Sequence, residues 1–448
     1  MAETARRPAW VDAAVAGIML LLWALAALEV ASGWRAAGTL AGAVALLLAL
    51  WGAVSRGGVP RLAAIVFGGT GFLLLWRSGA WGDGMAALEK AARFTAFVTC
   101  LHLLRTIVLT EPLLARVQDG FIALRPQAKN GALQILSTLF SLPLGIGAIS
   151  VIAPFVTREE DPAARLEGAS WTMRGMAHAN LFSPFTVAMG MVASCLPLLD
   201  LPVQMGAGLA LAVLMILATH ALGQCRLPRH LPASFWRAFA GVMLPVTLIV
   251  AVNITAIFAL GLTTVQSATL VVPASALVLA GIAALSGPAL AGRGLVMARM
   301  IRQTAAGTDG ETAVFVAALC FAAGVTATPE ITEAIRRLAP VLGPEAMIVA
   351  TLVGIAGVSS MGLHMVVPTT VLLTLFGPAM PDATHMTLLA LAALIGWSFG
   401  AIASMGSISF LICAKLFEVP ARRLAFGRNL RFMLALSAGF SAGVLLLV

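Results

Sequence analysis

The chain has 448 residues, 60% of them hydrophobic and 10% charged, with a mean hydropathy of +0.98. These values exclude an ordinary soluble domain and point to an integral membrane protein whose chemistry sits within the bilayer. A formal charge of +9 would suggest nucleic acid on a soluble protein, but the arginines cluster in short loops beside apolar runs, so the expected partner is the lipid bilayer and no nucleic acid.

Arg6 and Arg7 precede an apolar run near residues 11–31. That run is long for a cleaved signal, contains Trp23 and Glu29, and leads directly into the next, so it reads as a first transmembrane helix behind a cytoplasmic N-terminus. Further apolar runs lie near 37–55, 62–76, 94–111, 131–156, 162–198, 203–221, 238–262, 265–287, 311–329, 345–379, 385–413 and 430–448. A bilayer core about 30 Å thick takes roughly 20 apolar residues per helix. Pro162 to Leu198 and Glu345 to Gly377 exceed one crossing and carry small and polar residues in the middle, so each reads as a helical hairpin. The expected fold is all-α, a polytopic membrane protein of about 11 transmembrane helices plus two hairpins.

The basic loops support that count. Arg56 and Arg61, then Arg116, Arg125 and Lys129, then Arg226, Arg229 and Arg237, then Arg293, Arg299 and Arg302, and finally Lys415, Arg422, Arg423 and Arg428 all fall on the N-terminal side. The loops Thr263 to Gln266 and Asp200 to Gln204 carry neither Lys nor Arg. The basic side is therefore expected to be cytoplasmic, in a bacterial inner (plasma) membrane, with both hairpins opening from outside. Arg158, Arg336 and Arg337 depart from the pattern, each beside acidic residues. The five cysteines are scattered without a CxxC pair, so neither a disulfide framework, a metal site nor a cofactor is expected.

The two hairpin sequences, HANLFSPFTVAMGMVASCLP and GLHMVVPTTVLLTLFGPAMP, match at one constant offset that pairs Pro184, Thr186, Val187 and Pro197 with Pro368, Thr370, Val371 and Pro381. Upstream, SLPLGIGAIS and AAGVTATP form similar glycine-rich interruptions. These repeats suggest an internal duplication, with N-terminal transmembrane helices in 1–89, a first repeat in 90–263 and a second in 264–448. Membrane proteins built from repeats with discontinuous helices are typically secondary transporters. A break within hydrocarbon exposes backbone groups that only protein, a cavity, substrate or an ion can satisfy.

AHANLFSPFTVAMG and VSSMGLHMVVPTTV resemble hairpin tips of the ion transporter superfamily, which includes the divalent anion/sodium symporters, and the resemblance covers about residues 90–448. It implies two hairpins presenting substrate and ion ligands near the bilayer middle. The family's Ser-Asn-Thr triplet is absent here, and its repeats are inverted, whereas the crossing count places both hairpins on one side.

At the first break, expected as a non-helical stretch near Gly175 to Pro184, the candidate substrate-binding residues are His178, Asn180, Ser183 and Thr186, and at the second, expected near Ser359 to Pro368, they are Ser359, Ser360, His364, Thr369 and Thr370. Such groups donate and accept hydrogen bonds to carboxylates, hydroxyls or ions, or else satisfy the broken backbone itself. His102 and Arg105 share a helical face. Arg105 either meets a substrate anion or snorkels to the interface. Glu330 and Glu333 relay protons or bind sodium, or form an ordinary ion pair with Arg336 and Arg337. In GWSFGAIASMGSIS the glycines fit tight helix packing, and an unwound segment lining the site is the alternative.

The expected function is secondary active transport of a small organic anion, coupled to sodium or protons, with the sodium ion as candidate coupling ion and the chain not an enzyme. Self-association as a homodimer is the oligomeric expectation. The alternatives are a membrane-embedded enzyme acting on a lipid-linked substrate and a non-catalytic component of an export complex. The phosphate-loop and HExxH signatures are absent, and no GxSxG stands beside a plausible triad.

Overall fold

The computed structural model describes residues 9–56, 58–157, 161–226, 232–285, 302, 307–404 and 407–447, and among them every regular element is helical. Arg158, Arg229, Arg293 and Arg299 of the loop-charge pattern lie outside the described residues. Ten helices among the described residues are long and apolar enough to cross a membrane. Large side chains such as Leu47, Leu214, Phe258 and Leu260 are exposed, a surface suited to hydrocarbon. Length, composition and surface together fit an integral membrane protein.

The helices assort into two compact units. One comprises Met1–Thr110 and Leu248–Ala327, the other Glu111–Thr247 and Thr328–Val448.

In the first unit the Asp309–Thr326 helix packs against Arg35–Arg56, Trp81–Leu109 and Gly69–Ser78. Glycine permits the approach: a Cβ on Gly52 would lie 2.2 Å from the Asp309 carbonyl oxygen, and one on Gly71 2.6 Å from the Phe321 nitrogen. Phe94 stacks on Phe315 with ring centroids 6.0 Å apart. The Trp81–Leu109 helix begins well before the apolar run expected at residue 94. Its polar first half is neutralised inside the unit: Arg93 pairs with Glu29, and Thr39 donates to Glu89 at 2.9 Å. Between Gly58–Ala63 and Gly69–Ser78, the stretch Ala64–Gly68 forms a π-helical turn.

The second unit is built around the Pro162–Phe182 helix, which Pro126–Leu144, Leu201–Ala221 and Ala383–Ala403 contact. Asp161 caps it by accepting from the Ala163 nitrogen at 2.9 Å, and Pro162 occupies the first turn, where no N–H is needed. From Gly168 to Leu181 nearly every residue is buried. A helix holding Arg174, His178 and Asn180 could not face lipid, and its neighbours shield it on all sides.

Four interruptions mark this unit. A 3-10 turn at Gly145–Gly147 separates Pro126–Leu144 from Ala148–Val156, with Gly145 at φ 51°. The others fall at 183–186, between Pro162–Phe182 and Val187–Cys195, at 361–365, between Pro329–Ser360 and Val366–Phe376, and at Ser404, where Ala383–Ala403 ends in an extended residue; Met405 and Gly406 lie outside the described residues. Pro329–Ser360 is itself kinked at Gly343, whose φ of 75° lies between Pro340 and Pro344.

Two expectations are corrected here. The stretch Gly175 to Pro184 is helical through Phe182; the break starts where Pro184 drives Ser183 into an extended conformation, with ψ 125°. Ser359 and Ser360 likewise close a helix, which stops where Gly362 turns at φ 93°. Pro368 sits in the first turn of Val366–Phe376, where its missing N–H is harmless. The constant sequence offset that pairs Pro184 with Pro368 therefore does not superimpose the two breaks.

Candidate functional site

The second unit brings both breaks into one neighbourhood. The short helices that follow them touch, and the Thr370 hydroxyl lies 3.5 Å from the Met191 sulfur. The Ala383–Ala403 helix bridges the longer arms. Ser398 Oγ donates to the Ala177 carbonyl at 3.3 Å, while a Cβ on Gly400 would meet that of Ser359 at 2.7 Å. Ser404 Oγ donates to the Ser359 carbonyl, so the end of Ala383–Ala403 is tied to the end of Pro329–Ser360. Ser183 Oγ donates to the Leu142 carbonyl, tying its break to the Gly145–Gly147 turn. In GWSFGAIASMGSIS, Gly396 and Gly400 pack tightly against Pro329–Ser360, while Met405 and Gly406 lie outside the described residues.

Within this neighbourhood the predicted residues divide by what they touch. Thr186 caps Val187–Cys195, accepting from the Met189 nitrogen at 3.2 Å and donating to the Ser183 carbonyl. Thr370 donates to the Val366 carbonyl at 2.8 Å, and Ser360, exposed, donates to the Ala356 carbonyl. Ser183, Thr186, Ser360 and Thr370 thus close local backbone bonds. His364 is half-buried, accepts from the Val366 nitrogen at 3.3 Å, and sets its ring edge-on to Trp397.

The remainder are buried. His178 is fully buried, and neither ring nitrogen finds a partner among the described residues. The hydroxyls of Thr369 and Ser359 are equally buried and have no partner among the described residues, while Asn180 is 7% exposed. Sequence reasoning missed two more of this kind, Ser141 beside the Gly145–Gly147 turn and Gln204 in Leu201–Ala221, each 0% exposed and without side-chain partners among the described residues. A buried hydroxyl or amide left unpaired costs about 1–3 kcal/mol, so each of these groups calls for a partner such as water, an ion or a ligand.

Arg174 was also missed. Its guanidinium lies 4.5 Å from the Trp171 ring centroid and 4.6 Å from that of Phe432, and it donates to Asn429 Oδ1 at 2.9 Å, Gln224 Oε1 at 3.0 Å and the Arg428 carbonyl at 3.3 Å. The signal was present in WTMRGMAHAN: an arginine within a buried stretch, one turn from both Trp171 and His178.

His102 and Arg105 belong to the first unit, whereas the other nine predicted residues belong to the second. His102 Nε2 stands 3.7 Å from Glu311 Oε2, and Arg105 Nε is buried without a partner among the described residues. The deepest charge of that unit is Asp309, fully buried and 2.8 Å from Arg56 Nε. Glu333 binds Arg336 at 2.7 Å and Arg337 at 2.8 Å, the ordinary ion pair, and those hydrogen bonds, Arg336 first, hold its carboxyl below the usual range. Among the described residues no cluster of three or more His, Cys, Asp or Glu could hold a metal ion. No family model and no curated protein matches the chain.

Proposed function

We propose that the chain is a secondary transporter of a small organic anion, coupled to sodium or protons, whose site lies among the interrupted helices of the second unit. The observation that carries this reading is a set of buried polar groups without partners among the described residues of the second unit: Ser359 and Thr369 on either side of one interruption, Ser141 before another, and His178 and Gln204 within continuous helices. Broken helices supply backbone N–H groups to an anion and unwound carbonyls to a cation, and they recur at transporter binding sites. The resemblance of the break sequences to ion transporter hairpin tips points the same way, as does the excess of arginine over buried carboxylate. The membrane is the bacterial inner membrane, with the N-terminus and the arginine-rich loops in the cytoplasm.

Reconstitution into proteoliposomes tests the proposal. Uptake of at least one radiolabelled mono-, di- or tricarboxylate should depend on an inward sodium or proton gradient. His178→Phe and Thr369→Val should each reduce that uptake at least tenfold.

A further inference from the structure

Away from the breaks, the Leu201–Ala221 and Arg428–Leu447 helices border a groove of about 880 Å³ on the second unit, alongside Trp171 and Arg174. Its two ends differ in chemistry. One end holds Arg174, Gln224, Arg428 and Arg431; the other is walled by Leu211, Leu214, Leu436 and Phe440. Leu214 and Leu222 on its rim are 62% and 73% exposed, so the groove opens sideways toward the apolar surface. Along each bordering helix the lining covers about three turns, or roughly 18 Å at 1.5 Å per residue, close to the ~15 Å hydrocarbon depth of one leaflet.

The basic end is short of negative charge. Arg428 is paired with Glu167 at 2.9 Å, and no described carboxylate pairs with Arg174 or Arg431. Arg174 is 3% exposed, and all its partners are neutral. A guanidinium has five N–H donors in a planar fork; three are engaged, which leaves two for an anion. A buried cation without a counter-charge is costly, and an anion at this end would relieve that cost. Nothing polar lines the far end, so a small hydrophilic anion would leave most of the groove unfilled.

We propose that this groove binds an anionic phospholipid, its phosphate against Arg174 and Arg431 and one acyl chain along the apolar wall. Its test does not depend on transport.

The full-length chain in neutral detergent would be titrated with phosphatidylglycerol, with phosphatidylcholine of the same acyl chains, and with inorganic phosphate, and retained lipid read by native mass spectrometry. Phosphatidylglycerol should bind at least tenfold more tightly than phosphatidylcholine, and equimolar inorganic phosphate should not displace it. Arg174→Gln should weaken binding at least tenfold, and because that residue is buried, two surface variants accompany it. Arg431→Gln removes the exposed charge. Gly439→Leu plugs the groove, since an added Cβ there meets nothing within 4 Å. Each should weaken phosphatidylglycerol at least fivefold with the melting temperature unchanged. Equal retention of the two lipids, displacement by equimolar phosphate, or wild-type retention in both surface variants would overturn the proposal.

Discussion

The Cβ that Gly208 lacks would lie 1.9 Å from the carbonyl oxygen of Leu181. The Leu201–Ala221 helix therefore rides directly on the backbone of Pro162–Phe182 just before its break, closing a wall of the polar neighbourhood. Because the obstacle is backbone rather than a flexible side chain, Gly208→Ala must push the helices apart. Overpacking of this kind costs typically 1–3 kcal/mol, and a thermal melt in detergent should show a lowered midpoint. Gly206→Ala, whose Cβ meets nothing within 4 Å, should leave the midpoint unchanged.

Two adjacent threonines differ in what their hydroxyls meet. Thr370 bonds the Val366 carbonyl, whereas Thr369 Oγ1 is buried without a partner among the described residues. Thr369→Val should reduce anion uptake at least tenfold, equivalent to about 1.4 kcal/mol, and leave folding unharmed or improved, since a buried unsatisfied hydroxyl disappears. Thr370→Val should reduce uptake less than threefold. Initial rates at subsaturating substrate, with the melting temperature of each variant, make the comparison.

The first unit offers a stability test. Asp309 is fully buried, and its carboxylate accepts from Arg56 at 2.8 Å and from the Gly310 nitrogen at 3.0 Å. Asp309→Ala removes those acceptors at a tight helix crossing and should destabilise the protein by about 3 kcal/mol, the low end for breaking a buried pair because Arg56 retains access to solvent. Guanidinium or thermal unfolding in detergent would report it.

A smaller effect is expected at Glu333, which is exposed and whose pKa is held down by hydrogen bonds from Arg336 and Arg337. A carboxylate with a depressed folded pKa contributes stability above its unfolded value, about 4.3 for Glu, and loses it as pH falls through the folded value. The melting difference between wild type and Glu333→Gln should therefore be present at pH 7 in low salt and vanish at acid pH. It should also shrink in high salt, as surface pairs do.

The helices were legible in the sequence because a lipid-facing helix announces itself by length and apolarity, and observed helices lie at each apolar run. The apolar run at 94–111 understates Trp81–Leu109, because its first half carries Glu89, Lys90 and Arg93, whose partners Glu29 and Thr39 lie far away in sequence. The breaks were legible as regions through their prolines and glycines. Their positions were not, because whether Pro184 breaks a helix and Pro368 begins one depends on the residues before each. Of the site, Ser183, Thr186 and Thr370 look like ligands in sequence, yet only geometry shows that backbone already uses them. Gln204 and Ser141 were illegible for the opposite reason: ordinary residues in ordinary helices, they matter only because nothing nearby pairs with them.

The central claim is that the unpartnered groups of the second unit bind a transported anion, and solid-supported membrane electrophysiology on proteoliposomes tests it most directly. Concentration jumps of a panel of mono-, di- and tricarboxylates should evoke saturable transient currents for at least one compound. Those currents should be lost in His178→Phe, reduced at least tenfold in Thr369→Val, and retained in Thr370→Val. Currents of wild-type size in both His178→Phe and Thr369→Val, or none with any carboxylate under sodium and proton gradients, would contradict the account.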